Sequence, residues 1–459
     1  MAPVHSRISS HKRNQDRAAR LLSEAREKAA KDTGYHSLAT RQKISEEFKS
    51  RTNMTPYNWQ VDVAEALVLG LDCSVIAGTG AGKTMPFVMP LFVHPEKTVI
   101  VISPLNALEA DQAERFKKMK IAAVAVNGET YSTTLHKELE QNKFQAIITS
   151  PEMCLQHDKF RQLLSNPRFA ARIAAIVIDE AHCISQWGDH FRDLYNQLGT
   201  LRAFVPHHVP FLVTSATLPP LVLAHVQAVT HILPSQSYHV NLGTDRPNIS
   251  WEVRYMKNGK SDLESLSFLL PKNSGGEAEG DTYDQSLVFF DDINVSMSAL
   301  RWLRDHSPKT IQHQISVYHS RRTPTAKRIV LKLFKEGKIK VLLSTEAAGM
   351  GCDMPHIQQV VQFMAPGSLS IWMQRAGRAG RTLTMNARAI LLVQPSVFQE
   401  KRTKKGKDPD EDDDGESIKY VKQIEDGLRQ WIETEGCRRD IADEYFDSGV
   451  QRKGELLCV

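Results

Sequence analysis

The chain has 459 residues, of which 41% are hydrophobic and 24% are charged. This is the ordinary composition of a folded globular protein, and the length leaves room for about two to four domains. No uncharged apolar run approaches the roughly 18 residues of a membrane span, and the charged N-terminal segment does not predict a signal peptide. The six cysteines lie far apart, which argues against a disulfide-dense secreted scaffold and predicts a reducing intracellular compartment.

The net charge of +5 comes from 58 Lys and Arg residues against 53 Asp and Glu residues. Residues 1–50 carry the whole excess, because the rest of the chain is balanced. Within this segment Ala18, Leu22 and Ala25 recur at helical spacing. We therefore predict a basic helical arm, which either contacts nucleic-acid phosphate or forms a solvated extension.

Beyond the arm, short apolar runs rich in Val and Ile alternate with helical stretches, a pattern typical of two doubly wound parallel sheets in the α/β class. We predict domains at about residues 51–240 and 245–395, a charged linker at 396–416 and a short helical extension at 417–459. The predicted strands are Ser74–Ala77, Thr98–Ser103, Ile121–Val126, Ala146–Thr149, Ile173–Ile178, Phe211–Thr214, Ser286–Phe290, Ile315–Tyr318, Val341–Ser344, Gln359–Phe363 and Ala389–Val393.

A phosphate-binding sequence directly follows the first predicted strand. Residues 77–84 read AGTGAGKT, which differs from the strict P-loop pattern only at Ala77. We expect the following helix to point its N terminus at the bound anion. Lys83 can reach the β- and γ-phosphates, and the hydroxyl of Thr84 can bind magnesium. The residues expected to hold the nucleotide phosphates are Gly78, Thr79, Gly80, Ala81, Gly82, Lys83 and Thr84.

Two adjacent carboxylates, Asp179 and Glu180, end a strongly apolar predicted strand. In P-loop enzymes an Asp at this place holds magnesium, and a neighbouring acid can orient and deprotonate water. The sequence Ser215-Ala216-Thr217 follows the next predicted strand. In combination with the phosphate loop, this pattern predicts nucleotide hydrolysis.

An arginine-rich sequence, QRAGRAGR at residues 374–381, lies in the second predicted domain. Its arginines Arg378 and Arg381 are three residues apart, which predicts that they share one face of a helical turn. A planar guanidinium group suits a transferring phosphoryl group. Because these arginines belong to the other domain, the active site would be complete only when the two domains close, and nucleotide state would be coupled to domain motion.

Together these motifs resemble those of superfamily 2 helicases, and more narrowly those of the RecQ family of DNA helicases, over about residues 57–381. The resemblance implies two tandem RecA-like domains that bind ATP and magnesium, with Gln60 as the residue that reads adenine. It assigns catalysis to Lys83, Asp179, Glu180, Gln374, Arg378 and Arg381. It assigns nucleic-acid contact to Ser103, Pro104, Thr149, Ser150, Trp187, Phe191 and Arg192.

The narrowing to RecQ depends on residues 182–192, HCISQWGDHFR, which resemble the aromatic-rich loop after the DEAH motif of that family. Trp187 and Phe191 offer ring faces for unstacked bases. The family's loop has His before Asp, whereas here Asp189 precedes His190. This departure leaves open how well DNA contact is coupled to hydrolysis.

Residues near the end of the chain resemble the start of the family's four-cysteine zinc module. Only Cys437 and Cys458 are at hand, whereas a structural zinc ion normally takes four ligands. We therefore expect no stable zinc site, and we interpret the chain as a helicase core truncated before the family's later domains.

The resemblance implies an ATP-dependent 3′–5′ DNA helicase or translocase that acts on single-stranded and forked DNA in recombination or repair, with no membrane partner. It would work in the nucleus of a eukaryote and otherwise in the cytoplasm. Two alternatives stay open. One is an RNA helicase, because the bases of RNA stack equally well on aromatic rings. The other is a DNA-binding ATPase or scaffold with little unwinding, which the Asp189-His190 order and the incomplete zinc module motivate.

Overall fold

The computed structural model describes residues 4–185, 194–271, 283–346, 354, 356–381, 384–401 and 419–449, except for the side chains of residues 4–10 and 107. These residues fold into two units, 4–244 with 443–449 and 245–442. Each unit is built on one sheet of parallel strands, which confirms the predicted α/β fold class.

The strands of the first unit are β1 (Cys73–Ile76), β2 (Thr98–Ile102), β3 (Ala123–Val126), β4 (Ala146–Thr149), β5 (Ile173–Ile178), β6 (Phe211–Ser215) and β7 (Tyr238–Asn241). They form one sheet in the order β3-β4-β2-β5-β6-β1-β7. Every side chain of β1, β2, β4 and β6 is buried, as expected for strands covered on both faces. The carboxyl ends of the strands meet at one edge, where ligands bind in sheets of this kind.

The helices of the first unit are α1 (Val4–Thr33), α2 (Ser37–Thr52), α3 (Asn58–Val68), α4 (Pro90–Val93), α5 (Asn106–Lys118), α6 (Thr133–Glu140), α7 (Pro151–Leu155), α8 (Asp158–Ser165), α9 (Pro167–Ala170) and α10 (Pro220–Val229). Short 3₁₀ helices cover Met85–Phe87, Ala181–Ser185 and Leu198–Ala203. Side chains cap the N termini of several helices. At the start of α6, for example, the hydroxyl of Ser132 accepts a hydrogen bond from the N–H of Leu135.

The strands of the second unit are β8 (Ile249–Tyr255), β9 (Ser286–Phe289), β10 (Ile315–Tyr318), β11 (Val341–Ser344), β12 (Gln359–Phe363) and β13 (Ala387–Val393). Their order is β10-β11-β9-β12-β13-β8. The accompanying helices are α11 (Ile293–Asp305), α12 (Pro324–Lys335), α13 (Leu369–Ala376) and α14 (Asp426–Glu433), with 3₁₀ helices at Leu263–Leu269, Gln312–Gln314 and Pro395–Val397. Helix α15 (Arg438–Tyr445) begins in this unit, and its last three residues belong to the first unit.

Three tryptophans tie α14 to the second sheet. Trp251 of β8, Trp372 of α13 and Trp431 of α14 pack edge to face, with ring centroids 5.9 to 6.0 Å apart. Trp372 and Trp431 are among the largest fully buried side chains of the described residues. Aromatic contacts of this kind add to the stabilisation that comes from burial alone.

The predicted strands are present, but two further strands were missed. Both β7 and β8 lie at an edge of their sheet. Their side chains are only partly buried in places, so neither strand shows the continuous apolar run that marks a central strand. Pairing with β1 and β13 respectively, rather than local sequence, decides that these residues are strands.

The N-terminal arm is a folded part of the first unit. Ala18 and Leu22 of α1, and Ile44 and Phe48 of α2, are buried in the hydrophobic core. The interpretation of the arm as a solvated extension is therefore wrong for these two helices, because α1 packs its apolar face on β7 and α2 packs on α3 and α4. Contact between the arm and nucleic acid stays a prediction.

A buried carboxylate fastens the arm to the unit. Glu65 of α3 accepts hydrogen bonds from Arg26 (2.6 Å), Ser37 (2.5 Å), Arg41 (2.8 Å) and Tyr35 (3.1 Å). Burial by itself would raise the pKa of Glu65, but the hydrogen bonds from Arg26, Ser37 and Arg41 hold that pKa below its usual range. A buried carboxylate is tolerated here because its charge is compensated.

Of the described cysteines, Cys73, Cys154 and Cys183 are buried free thiols, whereas Cys437 is disulfide-bonded. The cysteine spacing did not predict this bond. Within the described ranges no helix combines the length and the hydropathy that crossing a bilayer would require.

Replacing Glu65 with Gln should destabilise the fold, because Arg26 and Arg41 would lose the buried charge between them. We expect a loss of about 2 kcal/mol in the free energy of unfolding at neutral pH, measured by urea denaturation. The difference should shrink in acid as the pH falls through the lowered pKa of Glu65, since the wild-type carboxylate is then protonated as well.

The matched control is Glu46→Gln, at an exposed glutamate of α2 whose carboxylate accepts a hydrogen bond from the side chain of Gln42. Its effect should stay within about 0.5 kcal/mol. Equal losses in the two variants would contradict the role given to Glu65.

Candidate nucleotide-binding site

Three neighbouring strands end at the same edge and bring the predicted motifs together. The phosphate loop follows β1, Asp179 follows β5, and β6 ends at Ser215. The parallel register pairs Ile76 with Ser215, and β6 also pairs with β5. The loop, the two carboxylates and the turn after β6 therefore lie side by side, as the sequence predicted.

The loop at residues 77–84 turns sharply at two glycines. Gly80 and Gly82 have φ values of 88° and 82°, in the left-handed region that favours glycine. At Gly82 a Cβ atom would also come within 2.7 Å of the side-chain nitrogen of Gln60. The glycine at this position therefore has both a conformational and a steric reason.

The α-helix expected after the phosphate loop is not formed. Met85–Phe87 make a single 3₁₀ turn, and α4 begins only at Pro90. Pro86 and Pro90 lack the N–H groups that a continuous helix uses. The prediction of a helix N terminus aimed at the phosphate site is therefore wrong, and the contact with an anion is left to the amides of the loop.

Gln60 packs directly against the phosphate loop. Its side chain is buried, with Nε2 donating to the carbonyl of Gly82 at 3.0 Å and Oε1 accepting from the N–H of Tyr57 at 2.9 Å. Both ends of the amide are thus used within the protein. Each end of an amide can make a second hydrogen bond, so Gln60 could read a base without giving up either contact.

The lysine of the loop pairs with the carboxylates after β5. The Nζ of Lys83 lies 2.8 Å from Oε1 of Glu180 and 3.9 Å from Oδ1 of Asp179. The side chain of Gln112 on α5 donates from Nε2 to Oδ2 of Asp179 at 2.8 Å. Sequence reasoning missed Gln112, because one glutamine on an amphipathic helix carries no motif.

The two carboxylates have opposite pKa shifts. Burial raises the pKa of Asp179, and together with the charge of Glu180 it outweighs the attraction of Lys83. Burial also acts to raise the pKa of Glu180, but the charge of Lys83 and the contacts with His182 hold that pKa well below its usual range. Opposed shifts in neighbouring groups are typical of functional sites, where each carboxyl takes a different role.

His182 links the carboxylates to the turn after β6. Its Nδ1 lies 3.3 Å from Oε2 of Glu180 and 2.8 Å from Oγ of Ser215, which in turn accepts from the N–H of Thr217 at 3.2 Å. Burial by itself would lower the pKa of His182, but Cys183 and Glu180 raise it to about 10. A charged imidazole is thus a second cation beside Glu180.

The site fits a hydrated magnesium ion. Oε1 of Gln112 and Oγ1 of Thr217 are buried and have no hydrogen-bond partner in the described part of the chain. Orphaned polar atoms beside a carboxylate suit a bound ion and its waters. Asp179 and Thr84 offer the oxygen donors that magnesium prefers, and this ion usually needs few protein ligands. Among the described residues, no group of three or more His, Cys, Asp or Glu side chains is placed to hold a metal ion.

In the second unit, Arg375 has a structural role that sequence reasoning missed. It is buried on α13, where it contacts Asp291 at 2.7 Å and Gln362 at 2.7 Å, and it pairs with Glu346. These contacts join the ends of β9, β11 and β12 to the helix. Arg375 is therefore committed to partners within its own unit.

Arg378 and Arg381 lie beyond the end of α13 at Ala376. Gly380, with a φ of 52°, turns the chain between them. The prediction that the two arginines share a helical face is therefore wrong, because the helix stops at the first glycine of the motif. Arg378 and Gln374 are buried, whereas Arg381 is partly exposed.

The two turns predicted to contact nucleic acid are adjacent at the edge of the first sheet. The N–H of Ser103 donates to the carbonyl of Thr149 at 2.9 Å. Ser103, Pro104, Thr149 and Ser150 are all buried, and the hydroxyl of Ser150 caps α7. A strand of nucleic acid at these turns would therefore contact mainly the protein backbone. The remaining predicted contacts lie outside the described residues, namely Trp187, Phe191, Arg192 and the Asp189-His190 pair.

A buried carboxylate lies close to these turns. Glu109 of α5 is fully buried, and its Oε2 accepts from Nδ2 of Asn127 at 2.7 Å. Burial raises the pKa of Glu109 to about 7, and the carboxylates of Glu152 and Glu129 act in the same direction. No sequence signal marks this group, because only its burial distinguishes it from a surface glutamate.

Comparison with known proteins defines the class of both units. The chain matches the DEAD/DEAH box helicase family over residues 57–225 and the helicase conserved C-terminal domain over residues 268–382. The helicase Lhr of Mycobacterium smegmatis, bound to single-stranded DNA and AMP-PNP, has the same fold, with a TM-score of 0.58 at 19% identity over 77% of this chain and 48% of that chain. The chain is thus a helicase core with two RecA-like units.

Two curated relatives are similar to this chain over most of its length. The ATP-dependent DNA helicase RecQ of Pasteurella multocida is 28% identical over 400 residues, which cover 86% of this chain and 58% of that protein. A protein of Acanthamoeba polyphaga mimivirus named as an ATP-dependent RNA helicase is 26% identical over 398 residues, covering 86% of this chain and 67% of that protein. The chain is thus similar to RecQ proteins over most of its own length, and it spans 58% of the length of the Pasteurella protein.

The raised pKa of Glu109 predicts a pH-dependent stability. Between the ordinary glutamate value of 4.5 and about 7, the folded protein binds a proton that the unfolded chain does not. Stability should therefore fall as the pH rises through this window. Glu109→Gln should remove that fall and raise the free energy of unfolding by about 3 kcal/mol above the window, as measured by urea denaturation across pH.

Glu114→Gln, on the exposed side of α5, is the control and should leave the pH profile unchanged. A wild-type dependence of stability on pH in Glu109→Gln would contradict this prediction, because the proton taken up on folding would then reside on another group.

Proposed function

We propose that the chain is an ATP-dependent DNA helicase or translocase. The observation that carries this proposal is the contact between the loop lysine and the two carboxylates after β5, with Nζ of Lys83 2.8 Å from Glu180 and 3.9 Å from Asp179. This is the spacing at which a triphosphate could replace a carboxylate as the partner of the lysine. The match to the DEAD/DEAH box helicase family and the similarity to RecQ proteins support the same assignment.

In the proposed reaction ATP binds through the backbone amides of residues 78–84, and its phosphates take Lys83 from Glu180. Glu180, freed from that ion pair and ionised, then accepts a proton from the attacking water. Magnesium, held by Asp179 and Thr84, would neutralise charge on the β- and γ-phosphates. His182 keeps Glu180 oriented through the 3.3 Å contact described above.

The proposal assigns Gln374, Arg378 and Arg381 of the second unit to the γ-phosphate. Guanidinium groups stabilise the charge that develops there during transfer, which is a large catalytic contribution. Arg375 is excluded from this role, because Asp291 and Glu346 already neutralise it. Gln60 is assigned to adenine, through the second hydrogen bond that each end of its amide can make.

Single-stranded and forked DNA is the proposed substrate. The strand would lie along the turns at Ser103 and Thr149 and against Trp187 of the aromatic-rich loop. Backbone and ring-face contacts carry little base information, so binding should tolerate sequence and weaken with salt. The 3′–5′ direction and a role in recombination or repair rest on the RecQ resemblance. A zinc ion is not part of the proposal.

One alternative is favoured by a specific observation. The mimivirus relative named as an RNA helicase aligns over as much of this chain as the RecQ protein does. An RNA-dependent ATPase therefore has to be tested beside the DNA-dependent one. An ATPase that grips DNA but separates strands poorly is the remaining alternative, motivated by the Asp189-His190 order.

Replacing Lys83 with Ala should abolish ATP turnover. The phosphates would lose their cation, so we expect a fall in kcat of at least about a hundredfold, with DNA affinity changed less than about threefold. ATP hydrolysis and DNA binding by fluorescence anisotropy are the measurements. Lys117→Ala, on the exposed side of α5, should retain wild-type turnover. Unaltered turnover in Lys83→Ala would refute the assignment.

Rates of ATP hydrolysis distinguish DNA from RNA as the nucleic acid on which the protein acts. ATP turnover should rise with single-stranded DNA more than with matched RNA, and Trp187→Ala should lose that rise while keeping its basal rate, because stacking contributes about 1–3 kcal/mol per base. Stronger stimulation by RNA would favour the RNA helicase. Hydrolysis indifferent to both polymers would favour a DNA-binding protein whose hydrolysis and strand contact are uncoupled.

A further inference from the structure

Gln112 stands beside the site and belongs to none of the motifs assigned above. We propose that Gln112 is a positioning residue for Asp179, which fixes the orientation of this carboxylate for magnesium and accepts a hydrogen bond from a metal-bound water. The inference rests on the proposed function, because it concerns the metal that accompanies ATP.

The first observation is the way Asp179 is held. Oδ2 accepts from Nε2 of Gln112 at 2.8 Å, and Oδ1 accepts from the N–H of Glu180 at 3.0 Å. One hydrogen bond to each oxygen prevents the carboxylate from rotating and leaves a lone pair on each for a metal ion. Fixing a ligand from outside the coordination sphere typically strengthens metal binding.

The second observation is the other end of the same amide. Gln112 is only 7% exposed, and its Oε1 is buried with no hydrogen-bond partner among the residues that the structure describes. Leaving a buried carbonyl unpaired is costly. Water bound to magnesium is a donor, and a site next to Asp179 is where such a water would lie.

The third observation is that an amide at this buried position does little for the stability of the fold. An apolar side chain of similar length would pack on α5 without an orphaned oxygen, so the amide is a poor choice for stability alone. Its neighbours Ala113 and Phe116 are buried in the core and hold the helix in place. The amide is therefore carried on a rigid support, which is what a positioning group requires.

The test is the magnesium dependence of nucleotide binding. Gln112→Met keeps the length of the side chain and removes both the donor and the acceptor. The magnesium concentration for half-maximal binding of a fluorescent ATP analogue should rise about tenfold in this variant. Binding in EDTA should equal that of the wild type, and hydrolysis should recover at high magnesium. A purely structural role would weaken binding with and without the metal alike.

Gln112→Asn is the second variant, for the case that methionine perturbs the fold. Its shorter side chain withdraws the amide from Asp179, so it should shift the magnesium titration in the same direction. Glu114→Gln on the opposite side of α5 should give the wild-type titration. An unchanged magnesium requirement in a folded Gln112 variant would overturn the inference. Failure of the proposed function would instead show as equal ATP binding by the wild type and Lys83→Ala.

Discussion

The ion pair between Lys83 and Glu180 is the interaction around which the first unit's candidate site is arranged. Burying an ammonium group and two carboxylates is costly unless each charge has partners. Here Lys83 faces both carboxylates, Gln112 holds Asp179, and His182 contacts Glu180. In the proposed mechanism this arrangement is the state without nucleotide, in which the carboxylate occupies the place of the phosphates. ATP would exchange one anionic partner of Lys83 for another.

The parallel sheet explains why so many of these groups can meet. Strands β1, β5 and β6 are neighbours, so the residues that follow them lie at one edge although they are far apart in sequence. His182 extends the site to Ser215 on one side, and Gln112 extends it to α5 on the other. Helix α5 starts immediately after the turn at Ser103–Leu105. The proposed DNA-contact turn and Gln112, the proposed positioning residue of Asp179, are thus joined by one rigid element.

The structure of the N-terminal arm changes the interpretation of the chain's positive net charge. Arg26 and Arg41 neutralise Glu65 and Asp62, so part of the positive excess of residues 1–50 is used inside the fold. A count of charges along the sequence therefore overstates what the arm can offer to nucleic acid. In the second unit, likewise, Arg375 is neutralised by internal ion pairs with Asp291 and Glu346.

Apolar runs and glycine-rich turns are local signals, so the fold class, the central strands and the meeting of Lys83, Asp179 and Glu180 at one sheet edge could be read from the sequence. Tertiary structure alone decided the edge strands β7 and β8, whose pattern is ambiguous until β1 and β13 pair with them. It also decided the roles of Gln112, Glu65 and Glu109, because burial and the choice of partner depend on residues distant in the chain. The failed helix after the phosphate loop and the early end of α13 show that prolines and glycines can override a motif.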